Sequence, residues 1–407
     1  MLRKGTFILM KTKIQDMTSG SPGRLIILFA IPLMLGNICQ QLYTMVDTMV
    51  VGQVVGVEAL AALGAVDFLM WVVTGISTGL TQGFSIQLSQ YYGAKDFENL
   101  RKSLAHSYRL TAFIAAGVLI LSQSFASLVL TGLHTPSNII GMSLLYLRII
   151  FCGIPATAAY NMFASALRAM GNSKTPLTAM IIASVLNVSL DILFVAGFGW
   201  GVAGAAIATV IAQSFSAVYC FLILRRIDIV HLTRADFMPA SGMNARLMKL
   251  GIPVVFQNII IGVGGLVVQY VINGYGFLFV AGFTATNKLY GLLEMAAISY
   301  GYAIVTYVGQ NLGAGRIDRI RKGVRSSMLL SLLTSLIISA AMFLFGKNIL
   351  SLFISGEPQQ TQQVLAIAFK IPFYYGCHAL GFVLSVRVQI CTSGAGRYLN
   401  AYGKWYG

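Results

Sequence analysis

The amino-acid sequence predicts an all-α, polytopic membrane protein made of two pseudo-symmetric six-helix bundles. Three observations support this fold class. Of the 407 residues, 57% are hydrophobic and only 10% are charged, whereas soluble domains carry about 25% charged residues. Long apolar segments recur along the chain, and two short motifs occur twice at nearly the same offset. Because helices satisfy their own backbone hydrogen bonds in a bilayer, we expect the apolar segments to be helical.

A segment of about 20 apolar residues is needed to span the hydrocarbon core of a membrane. The hydropathy pattern, interrupted by glycine, proline and charged residues, predicts about ten such helices. They are residues 24–50, 58–86, 104–130, 139–168, 175–197, 202–226, 245–274, 279–308, 325–346 and 361–391.

The order of these helices divides the chain into four parts. Residues 1–23 are basic and contain an apolar patch of only four residues, which is too short for a signal peptide, so we expect a cytoplasmic tail. The six-helix N-terminal bundle, with a cation site, is predicted at residues 24–226. A cytoplasmic linker is predicted at residues 227–244 and the C-terminal bundle at residues 245–407.

Lysine and arginine are concentrated on one side of the predicted helices. The chain has 28 Lys and Arg against 12 Asp and Glu, a formal net charge of +16. By our assignment, 24 of the 28 basic residues fall on the side of the N-terminus. Since cytoplasmic loops are enriched in Lys and Arg, we expect a multi-pass protein of the inner cell membrane with a cytoplasmic N-terminus. The same distribution explains the positive charge without a nucleic-acid partner.

Two motifs reveal an internal repeat. Residues 30–37 read AIPLMLGN and residues 251–258 read GIPVVFQN, while residues 90–101 read QYYGAKDFENLR and residues 310–321 read QNLGAGRIDRIR. Six helices per copy make the two copies parallel, an arrangement known among transporters. The second copy lacks room for its fifth and sixth helices, because the chain after residue 396 is short and polar. We therefore expect a C-terminal bundle truncated after about four helices, with the last two missing.

The first predicted helix carries an acidic residue at membrane depth. A carboxylate in hydrocarbon costs at least a few kcal/mol, so Asp47 is expected to face a polar cavity or a partner. Asn187 and Asp191 lie four residues apart on one face of the fifth helix, and Thr209 lies on the sixth. Counted from the helix ends, all four share one depth in the outer leaflet. The repeat copy has valine where Asp47 stands, so the site is expected in one bundle only.

Asp47, Asn187, Asp191 and Thr209 are therefore predicted to form a cation-binding, coupling site. Two adjacent carboxylates in a low dielectric cannot both remain charged at low cost. The pair is expected to hold a proton near neutral pH, or to bind Na⁺ with the amide and the hydroxyl as neutral oxygen ligands. Asn187 and Thr209 could instead form an interhelical hydrogen bond, worth about 0.6 kcal/mol on average in membranes.

Other polar residues are candidates for a substrate cavity. Glu294 is the sole acid within the predicted spans of the second half, although an ion pair with Lys288 is an alternative. Gln269 and Asn273 lie one turn apart and could equally form interhelical hydrogen bonds. Asp67 could line the cavity or reach the membrane interface.

Two prolines are predicted to bend the helices that contain them. Pro32 and Pro253 lie near the cytoplasmic ends of the first and seventh predicted helices. Each removes a backbone donor, so both are candidate conformational hinges.

Together the motifs resemble those of the multidrug and toxic compound extrusion (MATE) family of cation-coupled exporters. The matching segments cover nearly the whole chain in the family's order: DTMVVGQVVGVEALAALG (47–64), YYGAKD (91–96), ALRAMGNSKTP (166–176), NVSLD (187–191), GWGVAGAAIAT (199–209), GIPVVFQN (251–258) and VGQNLGAGRIDR (308–319). The resemblance implies two six-helix bundles in a V-shaped arrangement, alternating access, and a cation site in the N-terminal bundle. Its Asp, Asn, Asp and Thr pattern falls on Asp47, Asn187, Asp191 and Thr209.

We therefore expect a secondary active antiporter that exports organic, cationic or amphipathic compounds in exchange for H⁺ or Na⁺. Neither a cofactor nor an enzymatic activity is expected, and the protein is expected to be a monomer. Two alternatives remain open at this stage. A lipid-linked-oligosaccharide flippase has a related architecture but needs several cationic side chains in its cavity, and a truncated chain could be inactive in transport.

Overall fold

The computed structural model describes residues 14–133, 135, 137–273 and 277–351. Within these ranges the structure describes the backbone but not the side chains of some helical residues, namely 57, 61, 266, 269, 270, 272, 273, 277–290, 292–294, 297, 339, 341–343 and 345–351. The described residues are mostly helical and include no strand.

Eleven α-helices follow one another along the described chain. They are α1 (Pro22–Val54), α2 (Val57–Gly64), α3 (Asp67–Gly93), α4 (Phe97–Gly132), α5 (Ile140–Cys152), α6 (Ile154–Ala169), α7 (Lys174–Asp191), α8 (Gly201–Arg225), α9 (Met243–Asn273), α10 (Phe277–Gly313) and α11 (Ile317–Ser351). Six helical segments of this part are long and apolar enough to cross a membrane, and the bent pair α5–α6 would make a seventh.

The span predicted at 58–86 is confirmed as part of one candidate membrane span, with a short interruption at residues 65–66, whereas the helix predicted at 139–168 is wrong as a straight segment. The segment predicted at 58–86 begins as the short helix α2, which ends at Gly64, and continues after a break as α3. The segment predicted at 139–168 is broken at Gly153 into α5 and α6, which meet at a 46° bend. Pro155 lies in the first turn of α6, where its missing backbone donor costs nothing. The predicted helix at 361–391 lies outside the described residues.

The repeated motif at residues 30–37 and 251–258 supplies matching hydrogen bonds between the two halves. Asn37 on α1 donates to the Ser299 hydroxyl on α10 (3.1 Å). Asn258, its repeat equivalent on α9, donates to the Gly75 carbonyl on α3 (3.0 Å). The helix pairs α1–α10 and α3–α9 are thus related by the pseudo-two-fold axis that the repeat predicts.

The second repeated motif forms two equivalent turns, after α3 and after α10. Lys95 and Gly315 occupy the same repeat position, and both have left-handed backbone conformations, with φ of 58° and 70°. The amide of Asp96 donates to the Tyr91 carbonyl and that of Arg316 to the Asn311 carbonyl, which closes both turns in the same way. Glycine is the residue best suited to this conformation, so Lys95 is the more strained of the two.

These turns define one face of the molecule, here named the N-terminal face, which also contains residues 14–20. The other end of the helices is named the opposite face. Gly93 and Gly313 pack reciprocally at the N-terminal face: a Cβ on Gly93 would overlap the Gln310 backbone carbonyl, and one on Gly313 would overlap that of Gln90. The two halves are therefore in direct backbone contact at this face.

Residues 14–20 lie across the seam between the halves. Gln310 is fully buried there; its amide nitrogen donates to the Ala169 carbonyl (2.8 Å) and its amide oxygen accepts from the Met17 amide (3.0 Å). Asn311 donates to the Met17 carbonyl (2.9 Å), and the Gln15 amide donates to the Gly171 carbonyl (3.1 Å). One short segment thus links the N-terminal half to α10.

The substitution Gln310→Ala is expected to release this segment. It removes both side-chain hydrogen bonds and leaves the buried amide of Met17 without an acceptor, a cost of about 1–3 kcal/mol. We expect faster hydrogen–deuterium exchange at residues 14–20, measured by mass spectrometry. Gln123→Ala, which removes a half-buried glutamine on α4 whose side chain donates to the Arg148 carbonyl, is the control and should leave that exchange unchanged. Unaltered exchange in Gln310→Ala would contradict the proposed link.

The linker between the halves also packs on the N-terminal face. The Arg109 side chain on α4 donates to the Phe237 carbonyl (3.0 Å), and the His106 ring lies 2.7 Å from the Asn244 side chain. Residues 227–244 are thus attached to α4 and lead directly into α9.

Candidate cation-binding site

The structure brings the four predicted cation-site residues together from three helices. Asp47 lies on α1 and is 4% exposed, while Asn187 and Asp191 on α7 are fully buried. Thr209 faces them from α8 and is partly buried. At 1.5 Å per residue, Asp47 lies about 10 Å from the end of α1 at the opposite face.

A hydrogen bond joins two of these residues. The Asn187 amide nitrogen donates to the Thr209 hydroxyl (3.3 Å), so the interhelical bond considered from the sequence is present. It uses only the donor of Asn187, however. The amide oxygen of Asn187 remains buried without a hydrogen-bond partner.

The carboxylates leave more buried acceptors without partners. Both oxygens of Asp191 and Oδ1 of Asp47 are buried and have no hydrogen-bond partner. The two carboxylates are also close enough for their charges to interact. A buried acceptor without a partner costs about 1–3 kcal/mol, and more when it is charged. This cluster is therefore incomplete unless a proton or a cation joins it.

A π-helical segment follows Asp191 directly. Residues 192–197 are π-helical, and the Phe198 amide donates to the Leu193 carbonyl, five residues back. π-helical turns are rare and occur frequently at functional sites. The sequence pattern predicts an uninterrupted helix here and misses this feature, because one extra residue per turn leaves no recognisable change in hydropathy.

Stacked aromatic rings accompany the π-helical segment. The Phe194 and Trp200 rings stack with centroids 5.0 Å apart, and the Phe198 ring lies 6.0 Å from Phe194. They lie at the connection between α7 and α8, at the opposite face. These ring contacts pack the π-helical segment against the start of α8, directly after Asp191.

Sequence reasoning missed two polar residues of the site, Tyr43 and Gln213. The Gln213 amide nitrogen donates to the Tyr43 hydroxyl (3.0 Å), and both side chains are buried. Tyr43 precedes Asp47 by four residues, and Gln213 follows Thr209 by four. Because residues four apart share a helix face, this spacing could have identified both.

Among the predicted cavity residues, only Asp67 has a described side chain. Asp67 begins α3, is exposed, and is close enough to Asp47 for their charges to interact. The side chains of Gln269, Asn273 and Glu294 lie outside the described residues, although their backbones belong to α9 and α10.

The two predicted hinge prolines lie within continuous helices. Pro32 is buried in α1 and Pro253 is exposed in α9. Neither interrupts its helix in this conformation, so a hinge at either position remains a prediction.

The donor set favours a hard cation over a transition metal. Within the described part of the chain, no group of three or more His, Cys, Asp or Glu side chains is placed to hold a metal ion. The cluster consists of carboxylate, amide and hydroxyl oxygens instead. Such oxygens are typical ligands of hard cations, so the residues present fit Na⁺ as well as a proton.

Comparisons with known proteins identify the family. A sequence model of the MatE family matches residues 32–193 and 253–386. The chain is 31% identical over 383 residues to the probable multidrug resistance protein YpnP of Bacillus subtilis, covering 93% of this chain and 84% of that protein. It is 26% identical over 341 residues to the probable multidrug resistance protein NorM of Thermotoga maritima, covering 82% of this chain and 72% of that protein.

Solved structures match the fold. One is the outward-facing conformation of a multidrug resistance MATE family transporter, with a TM-score of 0.86 at 22% identity, covering 95% of this chain and 86% of that one. A MOP superfamily transporter from Pyrococcus furiosus matches over the same shares, with a TM-score of 0.87 at 22% identity. These likenesses confirm the predicted all-α transporter fold, and the family model and the sequence relatives show that the chain belongs to the multidrug and toxic compound extrusion (MATE) family of membrane transporters.

Proposed function

We propose that this transporter is a secondary active antiporter. In this proposal it exports organic, cationic or amphipathic compounds in exchange for H⁺ or Na⁺ by alternating access. The names of its relatives, which describe multidrug resistance proteins, support the substrate class. The observation that carries the proposal is the buried pair Asp47 and Asp191, in which Oδ1 of Asp47 and both carboxylate oxygens of Asp191 lack hydrogen-bond partners. An intramembrane acid pair is costly and is typically part of an ion pathway.

Coupling follows from the electrostatics of the pair. When neither a proton nor a cation is bound, the two negative charges repel and are poorly solvated. Ion binding removes that repulsion and allows α1 and α7 to approach, which favours one arrangement of the N-terminal half. A ligand shifts a conformational equilibrium only through such a difference in affinity. The ion gradient can thereby drive the change that releases the exported compound.

The contacts at the N-terminal face support alternating access. The reciprocal glycine packing and the link through residues 14–20 close the seam between the halves at this face. Opening this face requires those contacts to break. We propose that Pro32, within α1, is the hinge that transmits ion binding to this closure, with Pro253 as its counterpart in α9.

The orientation in the membrane is proposed from charge. Basic residues of the described loops, such as Lys95 and Arg316, lie at the N-terminal face, as does Lys174 at the start of α7. Under the positive-inside rule this face is cytoplasmic. Export then runs from the N-terminal face to the opposite face, and the cation site lies nearer the outside. The protein is proposed to be a monomer in the inner membrane. Asp67, Gln269, Asn273 and Glu294 remain proposed cavity residues.

Dye efflux from proteoliposomes tests the antiport. The purified full chain is reconstituted with a fluorescent cationic dye inside, and an inward Na⁺ gradient or an inward proton gradient is imposed separately. We expect efflux driven by at least one gradient and abolished when that gradient is dissipated by an ionophore. Protein-free liposomes are the control for leakage. If neither gradient accelerates efflux, the antiport proposal is wrong.

A further inference from the structure

We propose that Gln213 is an additional oxygen ligand of the cation site and that it raises the affinity of the site for Na⁺, with Tyr43 as the residue that positions it. This inference rests on the proposed function, because it concerns the ion that drives export. Nothing in the sequence reasoning assigned either residue to the site.

The site residues occupy two levels along the helices. Asp47 and Asp191 form the level nearer the opposite face. Tyr43 lies four residues from Asp47, Asn187 four from Asp191, and Gln213 four from Thr209. Each is one helical turn nearer the N-terminal face, a distance of about 6 Å at 1.5 Å per residue. One level thus supplies carboxylates, and the other supplies amide oxygens and a hydroxyl.

The orientation of Gln213 is fixed by its donor group. Its amide nitrogen donates to the Tyr43 hydroxyl (3.0 Å), so its amide oxygen points away from that bond. This oxygen is buried and has no hydrogen-bond partner, as is true of the Asn187 oxygen. Buried amides in proteins normally have partners for both groups. Two unpartnered amide oxygens at one level point to a missing electropositive group.

The number of acceptors distinguishes Na⁺ from a proton. A proton needs only one carboxylate oxygen of Asp47 or Asp191 and gives no role to amide oxygens one turn away. A hard cation takes several oxygen ligands, including carboxylates and amide carbonyls. A cation between the two levels would have access to both sets. The amide of Gln213 therefore adds to Na⁺ affinity without adding charge.

Isothermal titration of the purified full chain with NaCl tests the inference directly, with choline chloride as the ionic-strength control. We expect the wild-type chain to bind Na⁺ and Gln213→Leu to bind it at least about tenfold more weakly, in the range seen when a metal site loses a supporting group. Gln213→Glu, which keeps an oxygen at this position, should retain Na⁺ binding. Tyr43→Phe should also weaken binding, because Gln213 loses its anchor, and it provides the test if Gln213→Leu does not fold.

Ser214→Ala is the matched control, because the Ser214 hydroxyl bonds only to its own helix at the Val210 carbonyl in the described contacts. Its Na⁺ affinity should equal that of the wild type. In proteoliposomes, Gln213→Leu should reduce Na⁺-driven efflux much more than proton-driven efflux. The inference is overturned if the wild-type chain does not bind Na⁺, or if Gln213→Leu and Tyr43→Phe both bind it as tightly as the wild type. Proton-driven efflux with no Na⁺ binding would overturn the role of Gln213 alone, whereas efflux driven by neither gradient would overturn the antiport.

Discussion

The substitution Asp47→Asn is expected to reduce gradient-driven dye efflux to the level of protein-free liposomes. Asp47 is almost fully buried, and with Asp191 it supplies the negative charge of the candidate site. An amide in its place cannot take up a proton and contributes no charge to a bound Na⁺. The change in electrostatic repulsion that couples the ion to α1 is therefore lost.

The same substitution is not expected to unfold the protein. It removes a buried charge whose Oδ1 has no hydrogen-bond partner, and the free energy of unfolding should be unchanged or higher. Thermal unfolding and monodispersity in detergent check this point. The matched control is Glu58→Gln, an acid-to-amide change at an exposed residue of α2 that accepts a hydrogen bond from Asn138. Efflux at the wild-type rate in Asp47→Asn would contradict the proposed coupling.

The second large effect is expected from Gly93→Ala at the seam of the N-terminal face. The added Cβ would overlap the backbone carbonyl of Gln310, and a backbone group on a packed helix cannot rotate away. Overpacking of this kind typically costs about 1–3 kcal/mol. The overlap exists only while the seam is closed, so the substitution destabilises the closed seam relative to the open one. We therefore expect the two halves to separate at this face and efflux to fall.

Labelling of a single cysteine measures the separation. Ser89 is fully buried in the seam, so Ser89→Cys, introduced after replacement of the five native cysteines, should react slowly with a maleimide. Gly93→Ala should increase that rate, and Gly313→Ala should do so as well because the packing is reciprocal. Gly117→Ala is the control, since its Cβ would meet nothing within 4 Å. Equal labelling rates in all variants would show that the glycines do not govern closure.

The membrane fold could be predicted from the sequence because hydropathy, charge and repeats are local or additive signals. Asn37 and Asn258 stand at equivalent positions of a repeated motif, and the structure uses both for hydrogen bonds between the halves. The breaks at Gly64 and Gly153 were not predicted. A single glycine is tolerated in membrane helices, so its presence alone does not separate a bend from a straight span.

The candidate site was partly predictable for the same reason. Helical spacing placed Asn187 and Asp191 on one face, and depth matched them to Asp47 and Thr209. Gln213 and Tyr43 carry no charge, so the high cost of burying a charge in hydrocarbon, which identified Asp47, does not identify them. Their importance depends on a hydrogen bond between α1 and α8 that only the folded chain reveals.

By itself the sequence determined that this protein spans a membrane, that it has two related halves, and that only the first half carries Asp47, since its repeat position holds valine. These properties depend on which residues occur and in what order. The tertiary structure decided which oxygens remain without partners, where α7 becomes π-helical next to Asp191, and how Gln310 and residues 14–20 close the seam. These properties depend on the relative placement of helices far apart in the chain. That placement follows from side-chain packing across the whole molecule and leaves no local pattern in the sequence.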